Sequence, residues 1–242
     1  MRTIKTDSEP LDYSASPQAL EVEAVRRTLG RIFLKGRGIE VGAGTRPWKL
    51  PIDASCFYGD VLDEQGLEHY FAQTGSAFNG FIDAQTYAGI EDDAFDFSLS
   101  AHVLEHLVDP LGSIKNSIRI IRQGGISMFA VPDKRYTFDH PRPVTALDHL
   151  IEDYKTGGEE TRIAGCKEHV MYLHPQWAPE IPAERIDIEA AILANAKFDT
   201  HYHTWTTDSF LEMLDWIEIN FKVEAIHSEL VVNENIAVLR KL

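Results

Sequence analysis

Apolar residues along this chain recur at two spacings, one typical of buried strands and the other of helices. Short apolar runs predict five strands, at residues 38–41, 56–60, 80–83, 95–101 and 126–131. Helical spacing predicts a first helix over residues 17–32, with Leu20, Val22, Val25, Leu29 and Ile32 on its inner face. A short second helix is predicted at 67–72. Strands that alternate with helices in this way predict a doubly wound α/β fold with right-handed crossovers.

The third helix and the C-terminal part continue the same alternation. Asp109-Pro110 is typical of a helix start, and Gly124-Gly125 of a helix end. The inward residues of that helix are predicted to be Leu111, Ile114, Ile118 and Ile121. A last helix, capped by Thr206 or Thr207, is predicted to bury Phe210, Leu211, Leu214 and Ile217. Strands at 221–232 and 235–239 then form a hairpin whose final strand is antiparallel, which completes seven strands.

Residues 134–205 interrupt this rhythm with a 72-residue interval, far longer than an ordinary connection. The interval holds six of the ten histidines: His140, His149, His169, His174, His201 and His203. It begins where a parallel strand ends, which is the ligand side of such a sheet. We therefore predict one domain over 17–242, with 134–205 as a lid that binds an acceptor. Residues 1–16 are polar, and we expect a loose segment there.

A Gly-rich turn follows the first strand and carries the strongest chemical signal. Gly42 and Gly44 lack side chains that would keep a nucleoside away from the backbone. Glu40 precedes them, and its carboxylate would repel a pyrophosphate but attract a cation. The third glycine of the dinucleotide fingerprint is absent, because Arg46-Pro47 follows Thr45. These features disfavour NAD.

Three motifs in this order resemble those of class I S-adenosylmethionine-dependent methyltransferases, close to the small-molecule subgroup called type 11. They are Glu40-x-Gly42-x-Gly44, Asp60 at the end of the second strand, and the run from Phe95 to His106. The resemblance implies a Rossmann-like, seven-stranded, mostly parallel sheet with S-adenosylmethionine as cofactor. By the same resemblance, Glu40 serves the methionine end, Asp60 the ribose hydroxyls and Asp83 the adenine amine. Gly42, Ala43, Gly44 and His102 would complete the cofactor site.

The predicted lid supplies candidates for the acceptor site. Lys134, Arg135 and Arg142 are suited to hold a phosphate or carboxylate of the acceptor. If residues 201–205 are extended, His201, His203 and Trp205 share one face, which suits a sugar or aromatic ring. We expect His140, His203 or His201, in falling order of preference, to act as the base. The predicted reaction is O-methylation of a small polar acceptor such as a sugar, a nucleotide-linked sugar or a polysaccharide unit.

The sequence is also compatible with other functions. An NAD-dependent sugar oxidoreductase and a non-catalytic cofactor-binding protein share the fold. His102-Val103-Leu104-Glu105-His106 matches a zinc-peptidase pattern, but it follows a strand without a long helix. We expect no metal. A metal on His201, His203 and either His140 or Asp139 would instead indicate a metal-assisted O-methyltransferase or hydrolase.

The composition limits the kinds of molecule and compartment that we expect for this protein. The net charge is −15, and no Lys/Arg run is present, so we expect a small-molecule acceptor rather than a nucleic acid. Two cysteines, Cys56 and Cys166, fit a reducing cytosol. Without a signal peptide or an apolar run near the ~18 residues of a membrane span, we expect a cytoplasmic protein that does not bind membranes. A homodimer is left open.

Overall fold

The computed structural model describes residues 16–242, and a single seven-stranded sheet runs through them. Its strand order is β3-β2-β1-β4-β5-β7-β6, with every neighbouring pair parallel except those that involve β7. The strands are β1 (Gly36–Val41), β2 (Ala54–Asp60), β3 (Gly80–Phe81), β4 (Phe95–Ala101), β5 (Ile121–Pro132), β6 (Val223–Val231) and β7 (Glu234–Lys241). The predicted doubly wound fold and its antiparallel final strand are confirmed. The predicted loose segment 1–16 lies outside the described residues, apart from Ser16.

Helices cover both faces of the sheet. They are α1 (Pro17–Phe33), α2 (Glu64–Phe71), α3 (Pro110–Arg119), α4 (Leu147–Thr156), α5 (Glu159–Glu168), α6 (Ile186–Asn195) and α7 (Thr207–Phe221). Ser16, Asp109 and Thr206 cap α1, α3 and α7 with side-chain hydrogen bonds, as residues of this kind commonly do.

Alternate residues of β5 point to two separate cores. Phe129 and Val131 pack with α3 and α7, whereas Met128 and Ala130 pack with Leu29 of α1 and with strand residues. This alternation is expected of a central strand, since successive side chains leave opposite faces of a sheet. Helices therefore pack on both faces of the sheet. The ends of the strands stay uncovered by these helices and can form a site.

The region between α3 and β5 differs from the prediction. The helix ends at Arg119, so Ile121 and Gly124-Gly125 belong to β5 rather than to the helix and its cap. Gly124 has φ +74°, and the register between β4 and β5 shifts beside it. The two glycines therefore accommodate a β-bulge, a feature that favours glycine for the same reason as a helix end does.

Three side chains predicted to be buried are exposed instead. Leu20 and Ile32 of α1 and Leu211 of α7 lie on the solvent side of their helices. Met213 takes the inner position on α7. Apolar spacing located these helices correctly, but the width of the buried stripe depends on how each helix lies against the sheet.

The 134–205 interval is largely helical and is held together by a buried ion-pair network. Helices α4, α5 and α6 lie within it, and α4 packs on α3 and α7. Arg142 is fully buried and donates to Asp139 Oδ1 (3.0 Å), Glu168 Oε2 (2.9 Å) and the Tyr202 carbonyl (3.2 Å). These contacts join the beginning of the 134–205 interval both to α5 and to the end of the same interval.

Candidate functional site

A cavity of about 1270 Å³ opens at the carboxyl ends of β1, β2 and β4. In an open parallel sheet, this edge is where ligands bind. One wall consists of the Gly-rich turn and the loops that follow β2, β3 and β4, and it includes Glu40, Gly42, Ala43, Asp60, Asp83 and His102. Six of the seven predicted cofactor residues therefore lie around one space. Gly44, the seventh, occupies the same turn.

The Gly-rich turn requires its glycines. Gly42 and Gly44 have φ of +67° and +52°, in the left-handed region that favours glycine. A Cβ on Gly42 would lie 2.5 Å from Val103 Cγ2, and one on Gly44 would lie 2.6 Å from the Phe71 ring. The backbone of the turn consequently packs closely against the residues after β4 and at the end of α2.

Glu40 is a buried carboxylate at the end of β1. Its two carboxylate oxygens accept from the Trp48 backbone N–H at 3.2 and 3.1 Å, and the residue is only 1% exposed. Burial raises the pKa of Glu40 to about 8, although the Trp48 N–H and the nearby Arg26 charge act in the opposite direction. A cationic group that enters the cavity would favour the ionised form. Trp48 is buried and is also one of the residues that line the cavity.

Asp60 and Asp83 follow neighbouring strands. Asp60 Oδ1 accepts from the Leu62 N–H (3.0 Å), and burial raises the pKa of Asp60. Asp83 accepts from the Gln85 N–H (2.8 Å) and from the Thr86 hydroxyl (3.1 Å), which fixes the turn after β3. Both carboxylates line the cavity and have lone pairs to offer to a ligand.

His102 begins the loop after β4 and is oriented by residues that are distant in sequence. It has φ +54°, and its Nε2 lies 2.9 Å from Glu234 Oε1. Glu234 in turn accepts from Arg26 of α1 at 2.8 Å. Burial lowers the pKa of His102, but the carboxylates of Glu105 and Glu234 outweigh it and raise that pKa to about 9. Sequence reasoning missed Arg26 and Glu234, because no local motif marks this pair.

The predicted substrate-binding cations are engaged elsewhere. Lys134 Nζ donates to the His140 carbonyl (2.8 Å), and Arg135 forms an ion pair with Asp133 (2.6 Å). Arg142 is buried in the network described above, and Trp205 is 0% exposed and packs in the core with α3 and α7. None of the four borders the cavity. The structure thus corrects the substrate role predicted for Arg142 and Trp205, which are core residues.

The three predicted bases lie in different surroundings. His140 is exposed and away from the cavity, and His203 is 0% exposed with its Nε2 2.9 Å from Asp153 Oδ2. His201 instead stacks edge-on against His106, with ring centroids 4.6 Å apart, and His106 borders the cavity. His201 and His203 belong to separate clusters of potential metal ligands, so the structure does not bring the two predicted ligands together in one cluster. His203 is buried and lies outside the cavity.

The second wall of the cavity comes partly from the 134–205 interval. Its residues there include Arg162, Lys197, Phe198, Asp199 and Tyr202, and Tyr70 and His106 lie beside them. Asp199 Oδ1 lies 2.6 Å from His106 Nδ1, and its Oδ2 accepts from the Tyr70 hydroxyl (2.5 Å). These contacts hold the pKa of Asp199 down, at about 2. Of this wall, His106 and Tyr202 lie in stretches that the sequence marked, although no role was predicted for Tyr202.

The His102-to-His106 motif follows strand β4 and contains a short 3₁₀ turn, Leu104–His106. A zinc peptidase of this pattern needs a longer helix to align its ligands.

Across residues 16–242, every helix is too short or too polar to cross a membrane.

Comparison with known proteins identifies the family. Residues 17–225 match the model of a methyltransferase domain. An uncharacterized protein of Methanocaldococcus jannaschii is 27% identical over 120 residues, which are 47% of this chain and 51% of that protein. The chain thus spans about half the length of this curated relative.

Solved structures share the fold at low sequence identity. The N-methyltransferase NodS of Bradyrhizobium japonicum WM9 has a TM-score of 0.50 and 11% identity, over 94% of this chain and 98% of that one. A putative zinc-dependent alcohol dehydrogenase of Rhodobacter sphaeroides has a TM-score of 0.54 and 13% identity, over 94% and 91%. These likenesses show the fold alone. Because the family model matches most of its length, the chain belongs to the methyltransferase-domain family.

Proposed function

We propose that this methyltransferase transfers the methyl group to a hydroxyl of a small polar acceptor of the sugar class. The observation that carries the proposal is the division of one cavity into two walls. The first holds the acids and glycines expected to bind the donor, and the second is rich in polar and aromatic side chains from the 134–205 interval. A donor and an acceptor bound against these two groups of residues would share one cavity.

The donor wall offers one group to each polar part of S-adenosylmethionine. Glu40 would serve the methionine ammonium, Asp60 the ribose hydroxyls and Asp83 the adenine amine. Gly42, Ala43 and Gly44 would let the cofactor approach the backbone, and His102 would border the adenosine or the methyl group. The supporting evidence is that these groups follow successive strands at the ligand edge of the sheet.

The acceptor wall consists of hydrogen-bonding groups on rigid aromatic supports. Tyr70 and Tyr202 provide rings with polar tips, and Asp199 provides a carboxylate. Such groups suit a polyhydroxyl acceptor. Because the predicted cations are engaged elsewhere, a nucleotide-linked sugar would depend on Arg162 and Lys197 for its phosphates. We propose that 134–205 acts as the acceptor-binding lid through this wall.

The reaction is an in-line displacement at the methyl carbon. The acceptor oxygen forms a bond to carbon, the carbon–sulfur bond breaks, and sulfur keeps the electron pair. Orientation of the two ligands can supply ~7–11 kcal/mol of such a barrier. The hydroxyl must also lose its proton, and among the predicted bases only His201 lies in the cluster beside this wall.

The acceptor class can be tested with methyl-labelled S-adenosylmethionine and a panel of sugars, sugar nucleotides, catechols and primary amines. We expect label in base-stable methyl ethers of hydroxyl compounds. Lys155→Ala, a change at an exposed residue of α4, should leave the turnover unchanged. Transfer to amines alone, with no ether product, would contradict the oxygen acceptor while leaving the donor site intact.

A further inference from the structure

Beside the acceptor wall, Glu105, His106 and His201 form a cluster whose potential metal-binding atoms all lie within 4.8 Å of one another. Small side-chain rotations would bring such atoms to the ~2.0–2.2 Å at which carboxylate oxygens and imidazole nitrogens bind a zinc ion. Two imidazoles and one carboxylate form a ligand set used by catalytic zinc and by non-haem iron. His106 borders the cavity, so an ion held here would face it.

The carboxylate of Glu105 points to a missing partner. Its residue is 0% exposed, and neither of its oxygens has a hydrogen-bond partner among residues 16–242. His102 Nδ1 lies 3.3 Å from Oε1, within the range of an ion pair but without a hydrogen bond, so the carboxylate keeps unused acceptor positions. Because burial of an unsatisfied carboxylate is costly, such a group usually pairs with a cation or coordinates a metal.

Both imidazoles are oriented as metal ligands usually are. His106 Nδ1 lies 2.6 Å from Asp199 Oδ1, and His201 Nδ1 lies 2.5 Å from Asp139 Oδ2. Each aspartate fixes the ring and leaves Nε2 as the nitrogen available for a metal. A carboxylate behind each imidazole is the arrangement that orients histidine ligands and makes them more basic.

A second cluster in the same region shows the contrasting case. His149, Asp153 and His203 also place their donor atoms within 4.8 Å. There, however, the Asp153 carboxylate accepts from Thr161 and contacts both histidine rings, at 3.1 Å for His149 and 2.9 Å for His203. The Asp153 carboxylate is therefore satisfied without an ion, unlike that of Glu105, although His203 Nδ1 is buried without a partner among residues 16–242. On the ground of this satisfied carboxylate we treat the cluster as a structural triad.

We propose that Glu105, His106 and His201 bind one divalent first-row transition-metal ion. In its role the site rests on the proposed function: open coordination positions on the cavity side would take the acceptor hydroxyl and lower its pKa. The hydroxyl proton would pass to solvent, and the resulting oxygen would form the new bond to the methyl carbon as the carbon–sulfur bond breaks. The ion is neither oxidised nor reduced in this step.

The site can be tested by metal binding without any turnover. Protein stripped with a chelator is titrated with Zn²⁺ by calorimetry and with Co²⁺ by visible absorption. We expect one equivalent to bind, with Co²⁺ bands that indicate imidazole ligands. Glu105→Gln and His201→Ala should each weaken binding at least about a hundredfold, since loss of a carboxylate behind a ligand already costs roughly 10–100-fold. Asp199→Asn, which removes such a carboxylate, should fall within that range.

His149→Ala is the matched control, because it removes a histidine from the structural triad. It should leave the metal affinity unchanged. Failure of wild-type protein to bind either metal, or stoichiometric binding that survives both Glu105→Gln and His201→Ala, would overturn the site. Titration of the same samples with S-adenosylhomocysteine separates the two proposals. If the wild-type protein binds S-adenosylhomocysteine but neither metal, only the metal site is overturned. If it does not bind S-adenosylhomocysteine, the proposed function is overturned.

Discussion

Replacement of Arg142 by alanine is expected to lower the free energy of unfolding by about 3–5 kcal/mol, the typical loss when one partner of a buried ion pair is removed. The guanidinium is fully buried and joins Asp139, Glu168 and the Tyr202 carbonyl. Its removal leaves a buried carboxylate at Asp139 without that partner. Urea unfolding, followed by circular dichroism, measures the change.

Two controls separate this structural role from the substrate role suggested by sequence. Lys155→Ala, in the same interval but exposed, should leave the unfolding midpoint unchanged. At a temperature where the Arg142→Ala variant remains folded, its affinity for S-adenosylhomocysteine should match the wild type, because Arg142 lies outside the cavity. An unaltered midpoint together with a raised Michaelis constant for the acceptor would show that Arg142 binds substrate after all.

The second large effect is expected at Asp60. Asp60→Ala should weaken S-adenosylhomocysteine binding by about 1.5–3 kcal/mol, or roughly 10- to 150-fold, because hydrogen bonds from the ribose to a charged partner are lost. Asp60→Asn should have a smaller effect, since an amide oxygen can still accept from the Leu62 N–H and from one hydroxyl. Calorimetric titration gives each affinity.

Asp92→Ala provides the comparison for this change. Asp92 is an exposed aspartate on the loop before β4 and lies outside the cavity, so its variant should bind like the wild type. If Asp60→Ala and the wild type bind S-adenosylhomocysteine with equal affinity, the ribose does not hydrogen-bond to Asp60. The orientation proposed for the donor would then have to be abandoned.

Local patterns in the sequence predicted residues that line one cavity, because the proposed donor wall is built from strand ends and the turns after them. Glu40 is the penultimate residue of β1 and Asp60 the last of β2, and the carboxyl ends of parallel strands meet at one edge of the sheet. Strand β4 also has the predicted bounds, because Phe95, Phe97, Leu99 and Ala101 alternate with polar residues at the period of a strand. The bulge at Gly124-Gly125 was missed, since glycine pairs mark helix ends and bulges alike.

The acceptor wall could not be predicted in this way. Which basic or imidazole side chain reaches the cavity depends on pairings across more than fifty residues, such as Arg142 with Tyr202 or His201 with Asp139. Alternation over 201–205 would place His201 and His203 together, yet His201 joins His106 whereas His203 joins Asp153. Charge and residue type alone do not distinguish a buried ion pair from a ligand contact.

The most direct test of the donor site is calorimetric titration of the wild-type protein with S-adenosylhomocysteine, with NADH titrated in parallel. We predict one molecule bound per chain at micromolar affinity or tighter, and no heat with NADH. Absence of binding by a protein that unfolds cooperatively, or binding of NADH instead, would contradict the assignment of Glu40, Asp60 and the Gly-rich turn to S-adenosylmethionine.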